Sequence, residues 1–238
     1  MNFMKERVVS LFVALAFAGC SPALRTVGKQ AHVVPLHVYY VPSGQYKTIE
    51  FAPPPAPDSD AQKADIAVIM DWQKKRTEAD CAKANETAAA TYDSFWGAKS
   101  PFPAPLPPEV KQFFEHLGSD LEDAVTNMKE RYRRPRPYAA YPGQAVPCIK
   151  KSWGYSYPSG HSAFSRVFAS VLTDLIPGRK DEFFSKADEI ALDRVIGGVH
   201  FPTDIAAGKV FADQFHAGLL RSPEYLKDIG KIKTCLLK

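Results

Sequence analysis

The chain has 238 residues, 45% of them hydrophobic and 24% charged, with a formal net charge of +4 at pH 7. That apolar share can fill one full-sized core and excludes a disordered chain, while a mild positive balance without dense Lys/Arg clustering argues against nucleic acid as a partner. A small acidic ligand suits such a charge better.

Lys5 and Arg7 precede an apolar run from Val8 to Ala18 that is too short to span a bilayer, and small residues follow, which is the pattern of a secretory signal. Ala16-Phe17-Ala18 fits a small-x-small cleavage site, whereas Phe17-Ala18-Gly19-Cys20 resembles a bacterial lipobox that would place lipid on Cys20. We favour the lipoprotein reading: a signal over 1–19, a tether and N-terminal arm over 20–56, and a helical domain over 57–238, exported to the periplasm or tethered to the outer membrane. With Cys20 acylated, Cys81, Cys148 and Cys235 remain, so two can pair in an oxidising compartment. The spacing does not assign the partners, and homo-oligomerisation stays open.

Along the chain, Val38 to Val41 has the composition of a short strand, and Pro53-Pro54-Pro55 closes the arm. Asp58 or Ser59 then caps a helix through Ile66, Ile69 and Trp72, and a second helix is expected from about Cys81 to Phe95. After a proline-rich break, Pro108-Glu109 opens a helix in which Val110, Phe113, Phe114, Leu117, Leu121, Ala124, Val125 and Met128 recur on one face. A Pro- and Gly-rich loop runs from Pro135 to Tyr157. Ser159 caps the next helix, which carries Phe164, Val167, Phe168, Val171, Leu172 and Leu175. Two more are expected at about 181–197 and 203–220, with a tail helix after Pro223. Strand signals are nearly absent, so the expected fold is an all-α single-domain bundle.

Three clusters carry chemistry. Lys129 and Arg136 are seven positions apart, two helical turns, so both reach one side if the helix persists to the prolines; the neighbouring Arg131, Arg133 and Arg134 fit a solvated basic face. Pro158-Ser159-Gly160-His161 places a small hydroxyl, a bare amide and a histidine at a helix start, where unpaired N–H groups favour an anion. Arg194 shares the apolar face of Ala187, Ile190 and Ala191, where an unpaired guanidinium is costly, and His200 lies four residues before Asp204, which can hold one imidazole nitrogen and free the other as a nucleophile. The ordered set Lys129-x6-Arg136-Pro137, Pro158-Ser159-Gly160-His161 and Arg194-x5-His200-x3-Asp204 resembles the phosphatidic acid phosphatase type 2 and vanadium haloperoxidase superfamily, and more narrowly the bacterial class A non-specific acid phosphatases.

That resemblance implies a helical bundle of this superfamily and a metal-independent acid phosphatase without cofactor, acting on small phosphate monoesters. It gives His200 the role of nucleophile forming a phosphohistidine, Asp204 that of its orienting partner, and His161 that of general acid and then base. Lys129, Arg136, Ser159, Gly160 and Arg194 hold the phosphoryl oxygens. Asp193 departs from the serine usual before Arg194, and turned inward it would weaken phosphate binding. With ordinary histidine values near 6.5 the expected optimum is roughly pH 5 to 6.5. Ordinary packing is the expected role of Trp153, Tyr155 and Tyr157, and His32, His37, His116 and His216 show no ligand spacing. Competing readings are a lipid-phosphate phosphatase at a membrane surface, a vanadate-dependent haloperoxidase, disfavoured by the compact chain, and a non-enzymatic basic module.

Overall fold

Ser59 opens the first helix as expected, its hydroxyl accepting from the Gln62 amide at 3.2 Å. In the computed structural model, which describes residues 37–237, this helix is α1 (Asp60–Lys75), followed by α2 (Glu78–Glu86), α3 (Tyr92–Trp96), α4 (Pro108–Tyr132), α5 (Pro137–Ala140), α6 (Gly160–Leu175), α7 (Lys180–Ile196), α8 (Pro202–Leu219) and α9 (Pro223–Ile232). The described residues contain helices and no strand. The signal, Cys20 and His32 lie outside them.

Two expected elements differ. The stretch from Val38 to Val41 is not a strand, because the amides of Tyr39, Tyr40 and Val41 all donate to the buried Asp120 carboxylate of α4 at 2.6–3.1 Å. One acidic side chain does there what a neighbouring strand would do. The helix expected from Cys81 to Phe95 is broken at 87–91. Thr91 starts a new helix by a reciprocal pair with Ser94, both at 3.2 Å, and the freed backbone is used elsewhere: Arg194 donates to the Ala84 carbonyl and His161 bonds the Ala88 carbonyl. Local helix propensity loses to polar groups arriving from distant helices.

The α4 stripe read from the sequence is buried throughout, and so is that of α6. α6 is the central helix, packed against α4, α7 and α8. Its contact with α8 is closest at Gly208, where a Cβ would meet the Ser159 carbonyl at 2.6 Å, so only glycine lets the start of α8 reach the start of α6. The described part of the arm packs into the same core through Tyr40, Val41, Tyr46 and Phe51.

Arg133 ends α4 in the left-handed region, φ 48°. Arg136 is therefore brought beside Lys129 by a chain reversal and the start of α5, not by two further helical turns as the spacing suggested. Apart from α5, the loop from Pro135 to Tyr157 is irregular, and a Cys81–Cys148 disulfide fastens it to α2, leaving Cys235 free. The Cys148 amide also donates to the Gly197 carbonyl at 3.1 Å, and Arg76 bonds the Ile196 and Val146 carbonyls at 2.7 and 2.5 Å. The turn that carries His200 is thereby fixed to the loop that faces it.

Candidate active site

The start of α6, the turn before α8, the end of α4 and the loop at 152–155 line a cavity of about 300 Å³. Lys129, Arg136, Gly160, His161 and His200 line it, so residues from all three sequence clusters converge. Ser159, Arg194 and Asp204 are buried behind its wall.

His200 is 2% exposed and held at both nitrogens. Nε2 stands 2.9 Å from Nη1 of Arg136, and since a guanidinium only donates, Nε2 must accept and the ring hydrogen belongs on Nδ1. Nδ1 faces Asp204 Oδ2 at 3.4 Å and Ser156 Oγ at 3.3 Å. Asp204 is fixed in turn, taking hydrogen bonds from the Phe201 amide at 2.8 Å, Ser156 Oγ at 2.5 Å and Arg134 at 2.6 Å. The imidazole thus lines the cavity with its Nε2 lone pair directed at Arg136, itself a lining residue.

The cations are crowded. Lys129 donates to the Tyr155 carbonyl at 2.6 Å, and Arg136 grips the carbonyls of Trp153, Gly154 and Val199 at 3.0–3.2 Å. Burial first, and the Arg136 charge second, lower the Lys129 pKa to about 7. Arg194 bonds the Ala84 carbonyl and Thr87 Oγ1, but its buried Nε has no partner, a donor that an oxyanion would satisfy. Ser159 caps α6 through its hydroxyl, which accepts from the Ser162 amide at 3.4 Å; the amides of Gly160 and His161 belong to the first turn, which has no helical acceptors.

Across the cavity, His161 Nε2 lies 3.1 Å from the Ala88 carbonyl, so that nitrogen carries hydrogen and Nδ1 is free to exchange a proton. Burial, then the charges of Arg194, Arg136 and Lys129, lower the His161 pKa to about 3 despite the Ala88 contact. His200 is lowered as well, by burial and then by Arg136, Lys129, His161 and Arg194. Burial and the neighbouring cations thus hold both rings below the ordinary histidine value near 6.5.

Arg134 is a buried neighbour of the site that its sequence context did not reveal. Read from the sequence as part of a solvated face, it is 5% exposed and joins Asp204 and Thr203 through one nitrogen at 2.6 and 2.7 Å, and Gln62 and Asp65 through the other at 2.6 Å. A signal existed: Gln62, Asp65 and Ile69 share one face of α1, so two polar residues sit where core was expected. Trp153 also departs from expectation, standing 97% exposed at the cavity rim, while Tyr157 does pack, donating to the Ala52 carbonyl at 2.7 Å. Asp193 is buried near Lys83 and Lys186 without lining the cavity; burial raises its pKa, and its charge in turn favours ionised Arg194. His116 stacks on Tyr39 at 3.7 Å, with His37 against the same Tyr39, and His216 pairs with Asp174 at 2.8 Å.

A sequence profile described as PAP2 superfamily matches residues 121–227, from within α4 to α9, a span that holds all eight residues singled out above. Residues 121–227 form a PAP2 superfamily domain. The chain is 35% identical over 132 residues to the non-specific acid phosphatase of Providencia stuartii, a match covering 53% of this chain and 52% of that protein, so it spans about half of that relative's length. It is 27% identical to the non-specific acid phosphatase of Salmonella typhi over 196 residues, covering 76% of each. Outside the acid phosphatases, the PAP2 fold of the chain matches a bacterial vanadium-dependent iodoperoxidase with a TM-score of 0.58 at 16% identity, covering 76% of this chain and 53% of that one. The PAP2 domain therefore contains the whole cavity wall except residues such as Ala90, which come from the segment between α2 and α3.

Proposed function

We propose that the chain is an exported acid phosphatase that hydrolyses phosphate monoesters through a phosphohistidine. The observation that carries this is His200, which lines the cavity beside Lys129 and Arg136 with its Nε2 accepting from Arg136 while Asp204 faces Nδ1. The acid phosphatase relatives support the reading, and the disulfide suits an oxidising compartment.

Three cations and the first-turn amides of α6 hold the phosphoryl oxygens, with the unpaired Nε of Arg194 among the donors. The phosphate displaces the Arg136 to Nε2 contact, so the guanidinium turns from the nucleophile to the charge being attacked. Nε2 attacks phosphorus, the bond to the ester oxygen breaks, and that oxygen takes from His161 Nδ1 a proton that the entering monoester monoanion has passed there, leaving an alcohol and a phosphohistidine. Water then attacks phosphorus and gives its proton to His161 Nδ1, the P–N bond breaks with its electron pair returning to Nε2, and inorganic phosphate is released. Placement and fixed charge supply the acceleration.

The test is alkaline quenching of a single turnover with a phosphorus-labelled aryl phosphate, followed by peptide mapping. Label on the peptide containing His200, absent from His200→Ala, is expected. Turnover without any labelled protein would remove the covalent step.

A further inference from the structure

Beside the phosphate cavity lies a second one, of about 370 Å³, and the two share Ala90, Glu122 and Phe164 as lining residues. They adjoin at these three residues. Away from that junction the second cavity has walls of Leu106, Phe114 and Phe168, which is the composition of a pocket for an apolar group and within the size range of small-ligand sites. We infer that this groove takes the alcohol of the substrate, and that the preferred substrates are monoesters of extended apolar alcohols without a second anionic group; this rests on the phosphatase reading above.

One face of α4 walls the whole length. Lys129, Glu122, Gly118, Glu115 and Lys111 follow at intervals of three, four or seven residues, so they form a stripe running from the phosphate cations to the end of the groove. Seven residues of helix separate Lys129 from Glu122 and eleven separate it from Gly118, about 10 and 16 Å along the axis. A short alcohol on a phosphate held at Lys129 does not reach the aromatic walls, whereas a medium-length chain does.

Gly118 is the second observation. Glycine weakens a helix interior relative to alanine, and here neither backbone nor packing demands it: φ is ordinary, and a Cβ would meet only Phe164 at a normal 3.6 Å. Its missing side chain keeps the groove open. Asp93, Glu115 and Glu122 outweigh Lys111 on the rim, so a remote phosphate or carboxylate is repelled.

The experiment compares n-butyl and n-decyl phosphate, each below its micelle-forming concentration, using the full chain. Each methylene removed from water contributes up to about fourfold, so kcat/KM for the decyl ester should exceed that for the butyl ester by at least about tenfold. The ratio should persist in Gly118→Ala and collapse toward one in Gly118→Leu, whose side chain extends into the groove. A terminal carboxylate on the decyl chain should cancel the gain in wild type and cancel less of it in Glu122→Gln. Butyl phosphate turned over with a decyl-to-butyl ratio near one would overturn the groove and leave the phosphatase reading standing. If neither ester is hydrolysed, that reading fails; calorimetry with butyl- and decylphosphonate then decides the groove separately, with about tenfold tighter decyl binding supporting it and equal affinities refuting it.

Discussion

Replacing Arg134 by methionine tests whether the nucleophile is held from behind. The guanidinium makes bonds of 2.6–2.7 Å to Asp204, Thr203, Gln62 and Asp65, and both carboxylates are essentially closed to water, at 0% and 3% side-chain exposure. Methionine fills much of the volume over the Phe201 ring, 4.2 Å from the guanidinium carbon, but leaves two buried carboxylates without their common cation. Breaking a buried pair in this way costs about 3–5 kcal/mol, a large share of the roughly 5–15 kcal/mol that stabilises a domain. Arg134→Lys keeps a charge but cannot fork between the two acids, so it should lose about 1.5–3 kcal/mol, the value of one hydrogen bond to a charged group. Urea unfolding reads both losses. With Asp204 displaced, His200 Nδ1 loses its anchor, and kcat/KM for an aryl phosphate should fall about a hundredfold in Arg134→Met. A stability loss below about 1 kcal/mol, the range of exposed pairs, would refute the reasoning.

His200→Ala should abolish hydrolysis, whereas His161→Ala should fall severely with alkyl esters and less with good leaving groups; equal falls for both ester classes would take the acid role from His161. Opening the 67-residue Cys81–Cys148 connection by a double Cys→Ser change should lower stability by about 4 kcal/mol, with Cys235→Ser near neutral, as equilibrium unfolding would show. For pH, burial lowers the pKa values of His161, His200 and His116 in the fold, so between their folded and unfolded values the unfolded chain binds more protons. Their contribution is whole above about pH 6.5 and is lost as pH falls toward about 3, the His161 value, so the urea midpoint of the phosphate-free protein should drop from pH 6.5 to 5, before carboxylates titrate. A flat midpoint over that interval would contradict the neutral burial of these rings.

Legibility followed the range of the forces involved. The long stripes of α4 and α6 were readable because burial selects one face at a fixed period, and Ser59 and Ser159 because a cap acts within three residues. The break at 87–91 was not, since it is stabilised by Arg194 and His161, more than 70 residues away. That the three clusters meet around one cavity was legible in the order and spacing of their motifs, and the burial of Arg194 from its place on an apolar face. Arg134 sits among other arginines, and what separates it from them is where Arg133 turns the chain at the end of α4. The pKa values were the least legible, because ordinary values apply to isolated groups and these histidines are buried within the field of Lys129, Arg136 and Arg194.

In the proposed mechanism His161 gives a proton to the leaving oxygen, yet burial and the surrounding cations lower its pKa to about 3. The substrate can bring it. A monoester has a second ionisation near pH 6, and a monoanion entering beside neutral His161 has the same proton count as a dianion beside protonated His161. Once bound, the phosphate charge offsets Lys129, Arg136 and Arg194, the groups that depress His161, and the proton can pass to Nδ1. Acidic activity then reflects the ester's ionisation more than the histidine's. Along a series of esters whose second pKa spans about 5 to 6, the basic limb of kcat/KM should move with the ester, falling about tenfold per pH unit above it. A limb fixed for every ester at about pH 7, the value to which burial and Arg136 lower Lys129, would assign the controlling proton to the enzyme instead.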